Sequence, residues 1–238
     1  MPEIVEMKPR VLVACVDNHN TNIKAHVDSL TRFWYEASDL IHSGEITMHK
    51  EGGNVLDFER SKIAQICCAG DYTHLFFYDA DNEISLSHLQ KLMSRNVDVI
   101  SGTYFMRSHK VRMEQDGIKV GEQFPCVASR GIVYVTREEI KQAAAKDELL
   151  SVDTVGCGCL LIKAEALRDI GYPAFRIDWK VGPYLDFTGE DQYFCKTMRQ
   201  TGRKIYLDPT VRPDHYAMIR SNFSLKDMNN YEFYTPNY

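Results

Sequence analysis

Between Val11 and Ile100 the chain alternates short apolar runs with segments whose apolar residues recur at helical spacing, and this alternation restricts the fold more than any other feature. Val11 to Val16 is an unbroken apolar run and predicts a strand buried on both faces. Asn22 through Ile41 carries Ile23, Val27, Leu30, Trp34, Ala37 and Ile41, which predicts a helix. A short strand over Ile46 to His49 follows, Gly52-Gly53-Asn54 marks a loop, and Asp57 to Ala69 returns to a helical pattern that stops at Gly70. His74 to Tyr78 predicts a strand, Ser85 caps a helix reaching Arg95, and Val97 to Ile100 gives a further strand. Strands alternating with helices build β-α-β units around a largely parallel sheet, which binds ligands beyond the carboxyl ends of its strands. The predicted class is therefore α/β, with a mainly parallel central mixed sheet flanked by helices.

The second half is less regular. Phe105 to Val135, with Arg107, His109, Lys110, Arg112 and three glycines, reads as loops and short hairpins. A helix is expected over Glu138 to Leu149, a strand ending in Cys159-Leu160-Leu161-Ile162, and a helix from Ala164 to about Gly171. Another helix is expected from Glu190 to Gln200, closed by Gly202, before a strand over Lys204 to Leu207. No Pro-, Gly- or Ser-rich linker divides the 238 residues, so one domain is expected over 1–216 with a tail at 217–238. A formal net charge of -5 argues against a general nucleic-acid binder. Met1 to Arg10 carries Glu3 and Glu6 without an apolar run, and no apolar stretch approaches membrane-spanning length, which together give the expectation of a cytoplasmic protein. Seven cysteines without paired C-x-x-C spacing fit reduced thiols, with Cys67 and Cys68 as small core residues. The aromatics of Phe33-Trp34-Tyr35 are likewise expected in the core.

Asp79-Ala80-Asp81 directly follows the apolar run Leu75-Phe76-Phe77. Residues two apart in a strand share a face, so an extended chain through Ala80 lets both carboxylates converge on one hard cation, magnesium or manganese, which keeps positions open for substrate phosphates. A calcium loop of the EF-hand type does not fit, because its sixth position is Ile84 rather than Gly and its twelfth is Gln90 rather than Glu.

Four features in this order resemble the GT-A-fold, nucleotide-sugar-dependent glycosyltransferases, with DxD and ED motifs similar to those of family 2. They are Asp79-Ala80-Asp81, the glycine-bearing strand Val155-Gly156-Cys157-Gly158-Cys159-Leu160-Leu161-Ile162, the pair Glu190-Asp191 after Gly189, and Asp208-Pro209 followed by His215. The resemblance implies a GT-A-like, Rossmann-like domain with a donor-binding part at about 10–104 and an acceptor and catalytic part at about 105–216. It implies that Asp81 and His215 ligate a divalent metal, manganese favoured over magnesium, with Asp79 on the metal or the ribose. Asp17, just past the first strand, meets base or ribose; Arg60, on the helix before the Asp79 strand, contacts the nucleotide; Gly156 and Gly158 let backbone approach the sugar. Asp191 is the expected base that deprotonates the attacking hydroxyl, with Glu190 positioning the acceptor or the helix start. Trp179 and Tyr184, in a Gly- and Pro-containing loop before that pair, are candidates to stack on an acceptor sugar.

The implied reaction moves a sugar from a nucleoside-diphosphate sugar, UDP-sugar favoured, to a hydroxyl acceptor such as a glycan, with inversion favoured although retaining relatives share these motifs. Two other readings remain. A sugar nucleotidyltransferase needs a Gly-rich phosphate loop after the first strand, where this chain has Asp17-Asn18-His19-Asn20-Thr21. A non-catalytic module that holds a nucleotide sugar or glycan needs none of the acidic pairs to act. The tail, rich in Asn and Tyr, is expected to cover the site or to pair with another subunit.

Overall fold

The computed structural model describes residues 8–17, 24–104, 111–114, 117–120, 128–180 and 186–215. Tyr184 and the 217–238 tail lie outside the described residues. In chain order the elements are β1 (Val11–Val16), α1 (Lys24–Glu36), α2 (Ser38–His42), β2 (Ile46–Glu51), α3 (Leu56–Ala69), β3 (His74–Asp79), α4 (Leu86–Ser94) and β4 (Val99–Gly102). There follow β5 (Val111–Glu114), β6 (Gly117–Val120), β7 (Ser129–Arg130), β8 (Val133–Tyr134), α5 (Arg137–Ala145), β9 (Leu150–Val152), β10 (Cys159–Lys163), α6 (Ala164–Ile170), β11 (Asp178–Lys180), β12 (Asp186–Thr188), α7 (Glu190–Gln200) and β13 (Ile205–Asp208).

Seven strands form one mixed sheet in the order β2-β1-β3-β10-β4-β13-β9. β1, β2, β3, β4 and β13 run in one direction, while β10, inserted between β3 and β4, and the edge strand β9 run against them. Side chains of successive strand residues point to opposite faces, so β1 feeds two core layers. Val11, Val13 and Cys15 join Phe33 of α1 and Leu89 and Leu92 of α4 on one side. Leu12, Ala14 and Val16 join Ile63 and Cys67 of α3, Leu167 of α6 and Phe194 and Met198 of α7 on the other. This is the α/β sandwich that the alternation predicts.

Several local expectations change. The helix read over Asn22 to Ile41 is two helices divided at Ala37 (φ -91°, ψ 6°), a jog that turns α2 onto β2. The helix read to Leu149 stops at Ala145. Asp147 takes a left-handed backbone (φ 55°), its carboxylate is held by Arg95 and Lys91, and the chain emerges as β9 on the sheet edge. Its start is secured by a capping box in which Glu139 N–H donates to Thr136 Oγ1 and Thr136 N–H donates to Glu139. Of the expected core aromatics only Phe33 is buried; Trp34 and Tyr35 are 47% and 84% exposed, because α1 turns a single stripe to the sheet. Cys67 is fully buried and Cys68 half-buried. The loop expected around Trp179 contains a two-stranded ribbon, β11 with β12.

The strand directions bring the carboxyl ends of β1, β3, β4 and β13 and the amino end of β10 to one edge of the sheet. Asp79 and Asp208 are the last residues of β3 and β13, Asp17 and Thr103-Tyr104 directly follow β1 and β4, and Gly158 directly precedes β10.

Candidate functional site

At this edge β3 does not stay extended. The Asn82 N–H donates to the Asp79 carbonyl at 3.0 Å, closing a turn over Ala80 and Asp81, and the two carboxylates go to different partners. Asp79 Oδ1 accepts from Arg60 Nη2 at 2.7 Å, whereas Asp81 Oδ2 lies 3.4 Å from His215 Nε2. The expected convergence of Asp79 and Asp81 through an extended Ala80 is thereby corrected by the turn. Among the described residues no group of three or more His, Cys, Asp or Glu side chains is arranged to hold a metal. Two of the three expected ligands, Asp81 and His215, are adjacent and largely buried, with side chains 9% and 12% exposed.

His215 reaches Asp81 by a chain of local fixings. Asp208 is fully buried, accepts from Arg95 Nε at 2.7 Å and from the Thr210 N–H and hydroxyl, and so sets the turn after β13. Thr103 N–H donates to the Val211 carbonyl at 2.7 Å, Glu83 N–H to the Asp214 carbonyl at 2.8 Å, and Asn82 and His215 form an antiparallel bridge. Asp208 therefore serves the backbone that presents the imidazole.

Gly158, expected to lie against a sugar, is instead packed against protein. A Cβ there would land on Asn82 Nδ2 and meet Tyr104 Cζ at 3.0 Å and Asp79 Oδ2 at 3.1 Å. Its carbonyl accepts from Asn82 Nδ2 at 2.7 Å and its N–H donates to the Tyr104 hydroxyl at 2.8 Å. The Tyr104 ring sets its edge against the His215 ring, 5.6 Å away at 88°. Gly156 is buried in the same segment. His26 stacks on Tyr78 and is hydrogen-bonded to the Asn82 carbonyl at 2.9 Å.

Asp17 is buried directly past β1, receives Lys50 Nζ at 3.0 Å and donates its N–H to the Glu51 carbonyl. Gly52 is required beside it, since a Cβ at that position would collide with the Asp17 carbonyl oxygen.

Arg60 departs most from its expected role. The guanidinium, 4% exposed, gives Nη2 to Asp79 and Nη1 to Glu190, and its Nε makes no hydrogen bond among the described residues. The fork read as a nucleotide contact is spent on two carboxylates. Breaking such a buried set by removing one partner costs about 3–5 kcal/mol, because the opposite charge is stranded away from water.

Glu190 and Asp191 open α7, where carboxylates favour the helix dipole. Asp191 Oδ1 accepts the Gln192 N–H at 2.7 Å. Burial, reinforced by the neighbouring Glu190 charge and opposed by Arg60, raises the Asp191 carboxyl from 3.8 to about 6. A carboxyl at that value is a competent proton acceptor near neutral pH. On the ribbon that leads into α7, Trp179 and Phe187 are 63% and 54% exposed and their rings lie 5.3 Å apart.

Sequence reasoning did not pick out Tyr104, Asn82, Lys50 or Phe187. Asn82 adjoins the aspartate triplet and Tyr104 follows the end of β4, so position relative to strand ends was the available signal.

No protein-family model matches the sequence, and no curated protein matches it. Solved structures do. GalNAc-T7, crystallised with UDP, GalNAc and Mn2+, superposes with a TM-score of 0.52 at 17% identity, over 88% of this chain and 43% of that one. A197 from STIV gives a TM-score of 0.48 at 18% identity, over 90% of this chain and all of that one. A glycosyltransferase involved in glycosylation of the major capsid of PBCV-1 gives 0.31 at 11% identity, over 68% and 63%. The chain thus spans less than half the length of GalNAc-T7, and with that protein it shares the GT-A glycosyltransferase fold.

Proposed function

We propose that the chain is a metal-dependent glycosyltransferase that moves a sugar from a nucleoside-diphosphate sugar, UDP-sugar favoured, to a hydroxyl of a glycan acceptor with inversion. The observation that carries this reading is the placing of two acidic centres at one sheet edge, Asp81 with His215 and Glu190 with Asp191, bridged by Arg60 between Asp79 and Glu190. A buried carboxylate beside an imidazole is a donor set that fits manganese better than magnesium, and two protein ligands leave positions for a diphosphate. Asp81 and His215 are the residues that would hold the ion. When bound, the ion supplies positive charge to a departing diphosphate. Asp79 and Asp17, at the ends of neighbouring strands, meet ribose or base, and Asp191 takes the proton of the acceptor hydroxyl. Trp179 and Phe187 offer exposed ring faces for an acceptor sugar, with Tyr184 proposed alongside them. GalNAc-T7, as a structure with UDP and Mn2+, supports the choice of donor and ion.

The nucleotidyltransferase reading is weaker because the segment after β1 lacks glycine. The raised Asp191 carboxyl favours an enzyme over a binding module, since a module has no use for a base near neutrality.

A thermal-shift screen of nucleoside diphosphates, with and without manganese, tests the donor half of this proposal. UDP at a hundred times its Kd is expected to stabilise by about 2.7 kcal/mol, a rise of roughly 5–10 °C, and only when manganese is present. A chain that no nucleoside diphosphate stabilises under either condition does not bind such donors.

A further inference from the structure

The amino-terminal half of α3 touches both sides of the site, and one of its faces is committed to the acceptor side. Asp57, Arg60 and Ser61 lie at spacings of three and four and therefore share that face. Asp57 Oδ2 accepts the Ile177 N–H at 3.3 Å. Ser61 Oγ donates to the Phe175 carbonyl at 2.5 Å and accepts the Phe175 N–H at 3.0 Å. Arg60 reaches Glu190 at the start of α7 and, on its other nitrogen, Asp79 at the end of β3. Behind this face Ile63, Ala64 and Cys67 are buried in the core, so the helix is a fixed support.

We infer that Arg60 is a positioning residue that sets the spacing between the donor side and the acceptor side of the site, with Asp57 and Ser61 pinning the segment that leads to the β11–β12 ribbon. This rests on the proposed transferase reading for its catalytic consequence only. The guanidinium holds Glu190, the residue bonded in sequence to Asp191, at a fixed place relative to Asp79. Its two nitrogens do this through one rigid plane, which a lysine ammonium cannot reproduce. The acceptor-side base is thereby aligned before substrate arrives, and a displacement of about 1 Å at such a point lowers turnover by up to about a hundredfold.

The test uses Arg60→Lys and Arg60→Met in the full chain, each read in two ways. Hydrogen exchange followed by mass spectrometry is expected to accelerate more over 186–195 than over the core strand β1, whose exchange follows the overall loss of stability. Turnover is expected to fall about 10- to 100-fold, with nucleoside diphosphate affinity within about threefold of the parent and partial recovery of Arg60→Met by added guanidinium ion. Arg60→Lys keeps the charge and serves if Arg60→Met does not fold. Unchanged exchange over 186–195 in Arg60→Lys overturns the inference, as does a loss located wholly in nucleotide affinity, which would return Arg60 to the donor. If the parent protein transfers no sugar from any donor, the function reading fails while the exchange pattern still decides the role of Arg60.

Discussion

Replacing Asp191 with Asn is expected to lower sugar transfer by about two to four orders of magnitude while making the protein more stable. Asn keeps the size and an oxygen for the Gln192 N–H, but it cannot take a proton. The stability gain follows from the raised carboxyl. An unfolded chain ionises Asp191 near 3.8 and the folded chain near 6, so between those values the folded state holds a proton that the unfolded state releases. The contribution to stability is therefore fully present below about pH 4 and is lost as pH rises through 6. Above pH 6 the folded protein carries an ionised, half-buried carboxylate beside Glu190, at a cost of about 1–3 kcal/mol after allowing for its partial exposure. Asn removes that cost, and a melting temperature higher by several degrees is expected at pH 7.5, with no gain at pH 4. In the parent protein transfer should rise with pH through about 6 and then level. Near-normal turnover of the variant, or a product that keeps the donor's anomeric configuration by NMR, removes Asp191 from the role of base.

Substituting Asp81 with Ala is expected to weaken manganese-dependent binding of UDP at least about a hundredfold in calorimetry. Even residues that only support a metal ligand account for 10- to 100-fold in affinity, and Asp81 is proposed as a ligand itself. His215→Ala should act in the same direction. Asp79→Asn should act differently, because Asp79 is engaged by Arg60 and the effect should appear in the metal-free nucleotide affinity and in stability. Unchanged manganese-dependent affinity in Asp81→Ala excludes Asp81 from the ion.

The layered sheet was legible in the sequence because apolar periodicity is a local property that burial enforces. The all-apolar β1 and the helical spacing of α3 each announce which sides they bury. The positions of Asp17, Asp79, Asp81 and Asp191 at strand ends and a helix start were legible for the same reason. Other features depended on contacts between distant residues. Arg60 taken alone reads as a solvated helix residue, and only the approach of Asp79 and Glu190 from elsewhere in the chain explains a buried guanidinium. Gly158 reads as room for a ligand, yet the room is taken by Asn82, Tyr104 and Asp79. The turn at Ala80 was hidden because nothing in Asp79-Ala80-Asp81 distinguishes an extended chain from one closed by the Asn82 N–H. β9 was not foreseen, because the three residues that follow the helix expected to Leu149 carry too little pattern, and their pairing with β13 decides their conformation.

The most direct test of the transferase proposal is the fate of a sugar nucleotide incubated with the protein, a panel of glycans and manganese. The expected result is release of UDP in step with a glycosidic product of inverted anomeric configuration, abolished by a chelator and restored by added manganese. Formation of sugar 1-phosphate with a nucleoside triphosphate when pyrophosphate is supplied, or intact donor under every condition despite tight binding, would contradict it.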